Sequence, residues 1–283
     1  SILKFAIESC NEPQVLTTVW RRLQALTVLD PTCGSGAFLF AALELLEDAY
    51  VDVLEAIESL AGDGHKKVEE IVRLANGHPN KRYFVRKIAA QHNLFGTDIM
   101  EDAVETAKLR IFLAIVSCIS TVEELEPLPD LDFNLRCGNL LVGLKDSEDA
   151  ARVGGDLFTK DAIDALLPDI GKYLEHYRKF VDDSVNQRVD LGIQKSILKT
   201  SGMELRERAD RIYASCLKVD AANFDTWRSK SRPFHWFLEF PQVSNHGGFD
   251  VIVGNPPYIQ KSKVDNYDIV GYSTNNCPDV YAQ

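Results

Sequence analysis

The sequence predicts an α/β fold of the Rossmann-like kind, with a doubly wound, mostly parallel sheet and long helical insertions. Four short apolar segments have the length and composition of buried strands. The first and the last of them are continuous apolar runs that end in a glycine- or proline-rich turn, which is typical of a parallel strand covered on both faces. Helix-periodic segments separate the strands, and this alternation indicates a parallel sheet with right-handed crossovers.

The strands and the helices that follow them are predicted in order along the chain. The predicted strands are Thr27–Asp30, Leu94–Asp98, Phe133–Cys137 and Phe249–Val253. After the first strand, apolar residues keep the three-and-four spacing of one helix face at Phe38, Leu39, Ala42, Leu45, Leu46 and Ala49. After the second strand, the same spacing recurs at Val104, Ala107, Ile111 and Ile115.

Two helical insertions are predicted to interrupt this scheme. Residues 1–145 form the first half of the core and contain an insertion at about 51–92. Residues 146–232 form a second helical insertion, and residues 233–283 hold the last strand and the loop after it. Residue 1 is Ser and both methionines are internal, so we expect the chain to be part of a longer protein that supplies further strands.

Composition and charge exclude several classes of protein. With 45% hydrophobic and 26% charged residues, the chain is neither collagen-like nor disordered. The net charge of -11, nearly all of it in the first 150 residues, argues against a freestanding nucleic-acid binder with a broad basic surface. The six cysteines form no C-x-x-C pair, so no metal site is predicted. Because there is no secretory signal and no apolar run of about 18 residues, we expect a reduced, cytoplasmic protein without a membrane partner. The oligomeric state stays open.

A glycine turn after the first strand is the first candidate binding site. Short side chains let the backbone approach a ligand there, and the helix start that follows offers free N–H groups to an anionic group. Leu39 stands where the dinucleotide fingerprint has its third glycine, which disfavours NAD and FAD. Asp30, at the end of the strand, suits a ligand with a cationic amino group. The turn itself consists of Pro31, Thr32, Cys33, Gly34, Ser35 and Gly36.

Asp98, at the end of the second strand, is the second candidate. A carboxylate in this position can accept hydrogen bonds from both hydroxyls of a ribose. The alternative is an N-cap for the helix predicted at about Met100–Ser117. Because Asp98 follows a strand and glycine turn of this kind, we favour the ribose.

The third candidate is Asn255-Pro256-Pro257-Tyr258, directly after the last strand. An exocyclic amine on an aromatic base is a poor nucleophile, because its lone pair is delocalised into the ring. Two acceptors aimed at its N–H bonds draw the nitrogen towards tetrahedral geometry and free that lone pair. The side-chain carbonyl of Asn255 is one acceptor, and the backbone carbonyl of Pro256, which precedes a second proline, is the other. Tyr258 offers a face on which a base can stack.

Taken together and in order, these motifs resemble the amino-group DNA methyltransferases that use S-adenosylmethionine. More narrowly, they resemble the adenine-N6 methyltransferase module of large combined restriction–modification enzymes. The motifs that carry the resemblance are Asp30–Leu39, Gly96–Ile99, Arg136–Leu141 and Asn255–Tyr258, with Phe234–Phe237 and Gly247–Asp250 typical of the subgroup. The resemblance implies an S-adenosylmethionine-dependent methyltransferase fold in a bacterial or archaeal protein. It also implies double-stranded DNA as a partner, bound largely through parts outside this chain.

The resemblance also implies a role for each matching residue. Asp30 and the Cys33–Gly36 turn hold the methionine part of the cofactor, and Asp98 holds the ribose. Asn139 lies beside the cofactor's adenine, where relatives often have Asp. The full cofactor-binding set is Asp30, Thr32, Cys33, Gly34, Gly36, Asp98, Ile99 and Asn139. Asn255, Pro256 and Tyr258 are the catalytic set, and Pro257 and Tyr258 contact a target adenine that has flipped out of the duplex.

Several alternatives stay open on the sequence. The same Asn-Pro-Pro-Tyr loop serves enzymes that methylate RNA base amines or protein glutamine, because a side-chain amide has the same delocalised lone pair. The chain is also consistent with a cofactor-binding fragment that is inactive by itself. In the second insertion, a bundle with solvated charged faces is favoured over a DNA-contacting arm. That arm would use Arg228, Lys230 and Arg232, with Lys261 and Lys263 beyond the last strand.

Overall fold

The computed structural model describes residues 2–258, apart from residues 63, 125, 147–148, 150–152, 154–156, 187–190 and 245–246. Its centre is a four-stranded, all-parallel sheet in the order β3-β2-β1-β4. The strands are β1 (Val28–Asp30), β2 (Leu94–Asp98), β3 (Leu135–Cys137) and β4 (Val251–Ile252). Each lies within one of the four predicted segments, and the predicted α/β class with a parallel sheet is confirmed.

Twelve α-helices lie in the described part of the chain. Those of the first half are α1 (Ile2–Glu8), α2 (Pro13–Ala25), α3 (Ala37–Ser59), α4 (Lys66–Asn76), α5 (Lys81–His92) and α6 (Glu101–Val116). The others are α7 (Leu157–Asp164), α8 (Leu167–Asn186), α9 (Gly192–Cys216), α10 (Phe224–Ser231), α11 (Trp236–Glu239) and α12 (Pro241–Ser244). Helix α3 runs through residue 51, where the first insertion was predicted to begin.

One face of α3 forms the centre of the largest apolar core. The buried side chains of α3 are Leu39, Leu43, Leu46, Tyr50, Val53, Leu54 and Ile57, together with the carboxylate of Glu47. Phe38 and Leu45 are 43% and 74% exposed, so the predicted buried face was wrong at these two positions. At 100° per residue, side chains seven apart lie on one stripe, and this stripe of α3 is exposed to solvent. The face predicted for α6 is confirmed, since Val104, Ala107, Ile111 and Ile115 are buried.

The helices between β3 and β4 have an apolar core of their own. Aromatic and aliphatic side chains of α7, α8 and α9 pack together there, including Tyr173, Tyr177, Leu198, Leu205 and Tyr213. Charged residues cover the outer faces, where Arg208 pairs with Asp169 and Arg211 with Glu207. This packing matches the predicted helical bundle with solvated charged faces.

Residues 232–236, which we call the docking segment, join this bundle to the sheet. The segment runs parallel to the loop after β3, and the Asn139 N–H donates to the Arg232 carbonyl at 2.8 Å. Farther along, the N–H groups of Phe234 and Trp236 donate to the carbonyls of Val142 and Leu144 at 2.7 and 2.9 Å. The bundle is therefore hydrogen-bonded to the end of the sheet that carries the candidate residues.

Candidate functional site

The carboxyl ends of the four parallel strands lie along one edge of the sheet, and the predicted site residues follow them directly. Register pairs Asp30 with Gly96, and Asp98 with Cys137, so the turns after β1, β2 and β3 are neighbours. Ligands of open α/β sheets bind at this edge, where the connections after adjacent strands leave a crevice. The topology therefore brings together candidates that are up to 228 positions apart in the sequence, from Asp30 to Tyr258.

The glycine turn after β1 has the conformation that its residues require. Gly34 and Gly36 have φ values of +50° and +78°, in the left-handed region that favours glycine. A Cβ at Gly36 would lie 2.9 Å from the Cβ of Ala107 on α6, so the turn also packs too closely for a side chain. Helix α3 begins at the next residue, which directs its first N–H groups towards the turn.

Asp30 is fully buried at the base of this turn, and half of its carboxylate has no partner. Its Oδ1 accepts a hydrogen bond from the Thr32 N–H at 3.1 Å, whereas its Oδ2 is buried without a hydrogen bond. The hydroxyl oxygen of Thr32 is also buried without a partner. Burial raises the pKa of Asp30, the Thr32 amide opposes this, and the charge of Asp98 raises it further. A cationic group at this point would remove the deficit.

Asp98 joins the first two turns. Its Oδ2 accepts from the Gly34 N–H and its Oδ1 from the Met100 N–H, both at 2.9 Å. The N-cap of α6 is Met100, not Asp98, so the capping alternative is not what the structure contains. Each carboxylate oxygen keeps a further lone pair, which leaves Asp98 able to accept from a ligand's hydroxyl groups.

Ile99 and Asn139 lie in the loops after β2 and β3, two strands that are neighbours in the sheet. Ile99 is 42% exposed, while Asn139 is 4% exposed. The Asn139 Oδ1 accepts from the Leu141 N–H at 3.1 Å, and its Nδ2 is buried without a partner. Asn139 therefore has a buried donor without a partner.

The loop after β4 begins directly beside Asp30. The Val253 N–H donates to the Leu29 carbonyl at 2.9 Å, which aligns the end of β4 with the end of β1. A Cβ at Gly254 would lie 3.0 Å from the Asp30 Oδ1, so a side chain here would require the carboxylate to shift by a few tenths of an ångström. Asn255, Pro257 and Tyr258 are exposed and Pro256 is half-buried. Lys261 and Lys263 lie outside the described residues.

Comparison with known proteins fits this arrangement of strands and turns. The family model described as Eco57I restriction-modification methylase matches residues 92–282. The chain belongs to this family. The resemblance to the methyltransferase modules of combined restriction–modification enzymes is thereby confirmed.

Two further similarities agree with the assignment of the chain to the Eco57I family. The model of the MmeI DNA-methyltransferase domain matches residues 6–135. A protein of Methanocaldococcus jannaschii, named as a type II restriction enzyme and methyltransferase, is 26% identical over 298 aligned positions. The alignment covers 86% of this chain but 23% of the relative, so the chain spans about a quarter of that protein's length. No solved structure matches the chain significantly.

Cys33 of the Eco57I-family chain has the character of a small structural residue. Its side chain is 5% exposed, and burial, with the charges of Asp30 and Asp98, raises the pKa of its thiol to about 12. At neutral pH the thiol is protonated and therefore a poor nucleophile. Its N–H donates to the Thr97 carbonyl at 2.8 Å, which fastens the turn to β2.

Sequence reasoning missed two residues that hold the site together. The buried Thr97 hydroxyl donates to the Pro31 carbonyl at 2.9 Å. Threonine is common in strands, so the sequence carries no signal for this role. Arg232 donates from its Nη1 to the Ile99 carbonyl at 2.6 Å. In the sequence, Arg232 is part of a basic cluster, and that cluster was considered as a DNA-contacting arm. In the structure Arg228 pairs with the buried Asp210, so two of that arm's three residues within the bundle have partners inside the chain.

The described residues contain no helix that is both long and apolar enough to cross a bilayer.

Proposed function

We propose that this chain binds S-adenosylmethionine and a flipped-out adenine, and forms part of an enzyme that methylates the N6 amine of adenine in double-stranded DNA. The enzyme would belong to a restriction–modification or phage-defence system. One observation carries the proposal: the buried, half-unpartnered carboxylate of Asp30 lies against Gly254, which leads directly into the Asn-Pro-Pro-Tyr loop. A site for a cation and a set of amine acceptors are therefore adjacent.

The unpartnered polar atoms fit the parts of this cofactor. The Oδ2 of Asp30 and the hydroxyl of Thr32 would accept from the ammonium of the methionine part. Asp98 would accept from the ribose hydroxyls. Because the Asn139 Nδ2 is buried without a partner, it would donate to a ring nitrogen of the adenine. In relatives with Asp at this position, the side chain would accept from the adenine amine. The asparagine of this chain would instead donate to a ring nitrogen.

The residues of the loop after β4 would hold and activate the target amine. When bound, S-adenosylmethionine supplies an electrophilic methyl group on a sulfonium. The Asn255 side-chain carbonyl and the Pro256 backbone carbonyl accept from the two N–H bonds of the adenine amine, which frees its lone pair. Tyr258, 80% exposed, offers its ring for stacking on the extruded base. Positioning of the two reactants supplies most of the acceleration.

A second candidate function is cofactor binding without transfer by this chain alone. The observation that favours it is exposure: β4 lies at the edge of the sheet, and Val251, Ile252 and Tyr258 are 43%, 66% and 80% exposed. Asn255 and its neighbours therefore have few contacts that hold a base in one orientation, and precise positioning needs support around the reacting groups.

The test separates binding from transfer. Calorimetry with S-adenosylmethionine measures binding, and mass spectrometry of duplex DNA incubated with chain and cofactor looks for N6-methyladenine; RNA and protein acceptors are assayed in parallel. We expect Asn255→Ala to abolish transfer with little change in affinity for the cofactor, while Asn223→Ala, an exposed asparagine of the helical bundle, changes neither. Binding without transfer supports the second candidate, methylation of RNA or glutamine instead of DNA refutes the first, and absence of binding refutes both.

A further inference from the structure

We propose that Arg232 is a positioning residue, which clamps the loop after β2 to the loop after β3 and so shapes the adenine end of the cofactor site. The clamp consists of contacts within this chain, whereas its effect on cofactor binding rests on the proposed function.

Arg232 contacts both loops at once. Its backbone carbonyl accepts from the Asn139 N–H at 2.8 Å, in the loop after β3. Its Nη1 donates to the Ile99 carbonyl at 2.6 Å, in the loop after β2. The Ile99 carbonyl also accepts weakly from the Cys137 thiol, at a sulfur-to-oxygen distance of 3.5 Å. The two residues held by Arg232 are the exposed apolar side chain and the unused amide donor that would flank the adenine.

A direct hydrogen bond between the loops lies beneath this clamp. The Gly138 N–H donates to the Asp98 carbonyl at 3.0 Å, continuing the ladder of β2 and β3 by one step. Beyond this bond, the Ile99 carbonyl is held by the guanidinium of Arg232 and more weakly by the Cys137 thiol. A charged donor to a carbonyl is stronger than a neutral one, and its planar fork holds the acceptor in a defined direction.

The backbone conformation at Arg232 indicates that the residue does more than end a helix. Arg232 ends α10 with φ +45° and ψ +60°, a left-handed conformation that glycine adopts with less strain. A helix end alone would therefore be served better by glycine. An arginine in this conformation combines the turn with a side chain that reaches Ile99. Among the described residues other than glycine, Lys218 alone shares a positive φ, at +57°.

Arg232 also borders an open cleft of about 500 Å³, together with Glu101 and Cys137. The guanidinium is therefore reachable from solvent, although its partners are inside the chain. A small guanidinium ion could enter the space that a truncated side chain leaves, which makes chemical rescue a usable readout.

The test compares Arg232→Gly, Arg232→Ala and Arg232→Lys with Lys218→Gly as the matched backbone control. Arg232→Gly removes the guanidinium and relieves the strained backbone, so a residue that only ends a helix would leave binding unchanged. We expect both truncations to weaken binding of S-adenosylmethionine by about tenfold, the size of one lost charge-assisted hydrogen bond. Arg232→Lys should recover part of the affinity, and millimolar guanidinium, against a sodium chloride control, should recover part of it in Arg232→Gly.

Hydrogen exchange tests the clamp without any ligand. In Arg232→Gly, the amides of Gly138 and Met100 should exchange faster than in the wild type, while Lys218→Gly leaves them unchanged. Wild-type affinity and wild-type exchange in Arg232→Gly would overturn the proposal. Faster exchange in Arg232→Gly, together with a wild type that binds no S-adenosylmethionine, would instead overturn the proposed function and leave the clamp standing. Faster exchange with unchanged affinity would overturn the effect on the cofactor site.

Discussion

Replacing Asp30 by asparagine should stabilise the free protein and weaken binding of S-adenosylmethionine, two effects of opposite sign. The Asp30 side chain is fully buried, and its Oδ2 has no hydrogen-bond partner. Leaving a buried polar group unsatisfied costs about 1–3 kcal/mol, and more when the group is charged. The amide of asparagine removes the charge but leaves an unpartnered N–H₂, so we expect a gain of about 1 kcal/mol, the lower end of that range.

The same substitution removes the negative charge that would meet the ammonium of the cofactor. A charge-assisted hydrogen bond contributes about 1.5–3 kcal/mol, which corresponds to a loss of affinity of roughly 10- to 100-fold. Calorimetry measures the affinity. Urea or thermal unfolding measures the stability, where about 1 kcal/mol raises Tm by about 2 °C in a chain of this size.

The dependence on pH gives a third readout. The pKa of Asp30 is raised above its ordinary value of 3.8. At pH values between the ordinary and the raised pKa, the native state therefore still holds a proton that the unfolded state has released. Stability of the wild type relative to Asp30→Asn should therefore fall as pH rises from about 4 through the raised pKa, and then level off. Affinity for the cationic cofactor should rise over the same interval, because the ionised carboxylate is the form that binds.

Asp250→Asn is the matched control for these measurements. Its carboxylate lies at the opposite end of the sheet, is exposed, and accepts from the Thr27 N–H and hydroxyl at 2.8 and 2.9 Å. We expect it to leave the affinity unchanged and to give no gain in stability. An Asp30→Asn variant that is less stable than the wild type and binds the cofactor equally well would refute the reasoning.

Three further predictions concern packing, reactivity and buried charge. Gly143→Ala places a Cβ 2.1 Å from a backbone carbonyl oxygen of the docking segment, so unfolding experiments should show a loss of about 3 kcal/mol, whereas Gly171→Ala, in open space, should not destabilise. Alkylation at pH 8 should leave Cys33 unmodified in the folded protein, since burial raises its pKa to about 12; stoichiometric labelling found by mass spectrometry would contradict this. Asp210→Asn should cost about 3 kcal/mol in chemical denaturation, because it removes the buried charge that pairs with Arg228 and accepts from His235; an unchanged midpoint would count against it.

Some features of the site could be predicted because they depend on local residue types. A strand buried on both faces needs a continuous apolar run, so β1 was visible in the sequence. The same pattern predicted that the last strand is covered on both faces, which was wrong for β4, since Val251 and Ile252 are 43% and 66% exposed. The positive φ values of Gly34 and Gly36 follow from the need for glycine in a tight strand-to-helix turn. The carboxylate of Asp98 falls at the end of its strand by the same pattern.

Other features escaped because their partners are remote in the sequence. The exposed side of α3, at Phe38 and Leu45, depends on which stripe of an apolar helix its neighbours cover. Similarly, α1 and α2 were not predicted, although Trp20 of α2 packs edge-on against Tyr50 of α3, with ring centroids 5.2 Å apart. Helical periodicity limits the stripes that can be buried, but neighbouring elements decide among them.

The sequence by itself therefore determined the class of sheet, the order of the motifs and the family, because these depend on short segments and on the residue types within them. Only the tertiary structure decided which polar atoms lack partners and which basic residues are already engaged. The Oδ2 of Asp30 lacks a partner because burial removes it from water, and Arg232 contacts both Asn139 and Ile99 because the docking segment lies beside the loop after β3. Both outcomes depend on desolvation and on hydrogen bonds between distant segments, which exist only once the chain has folded.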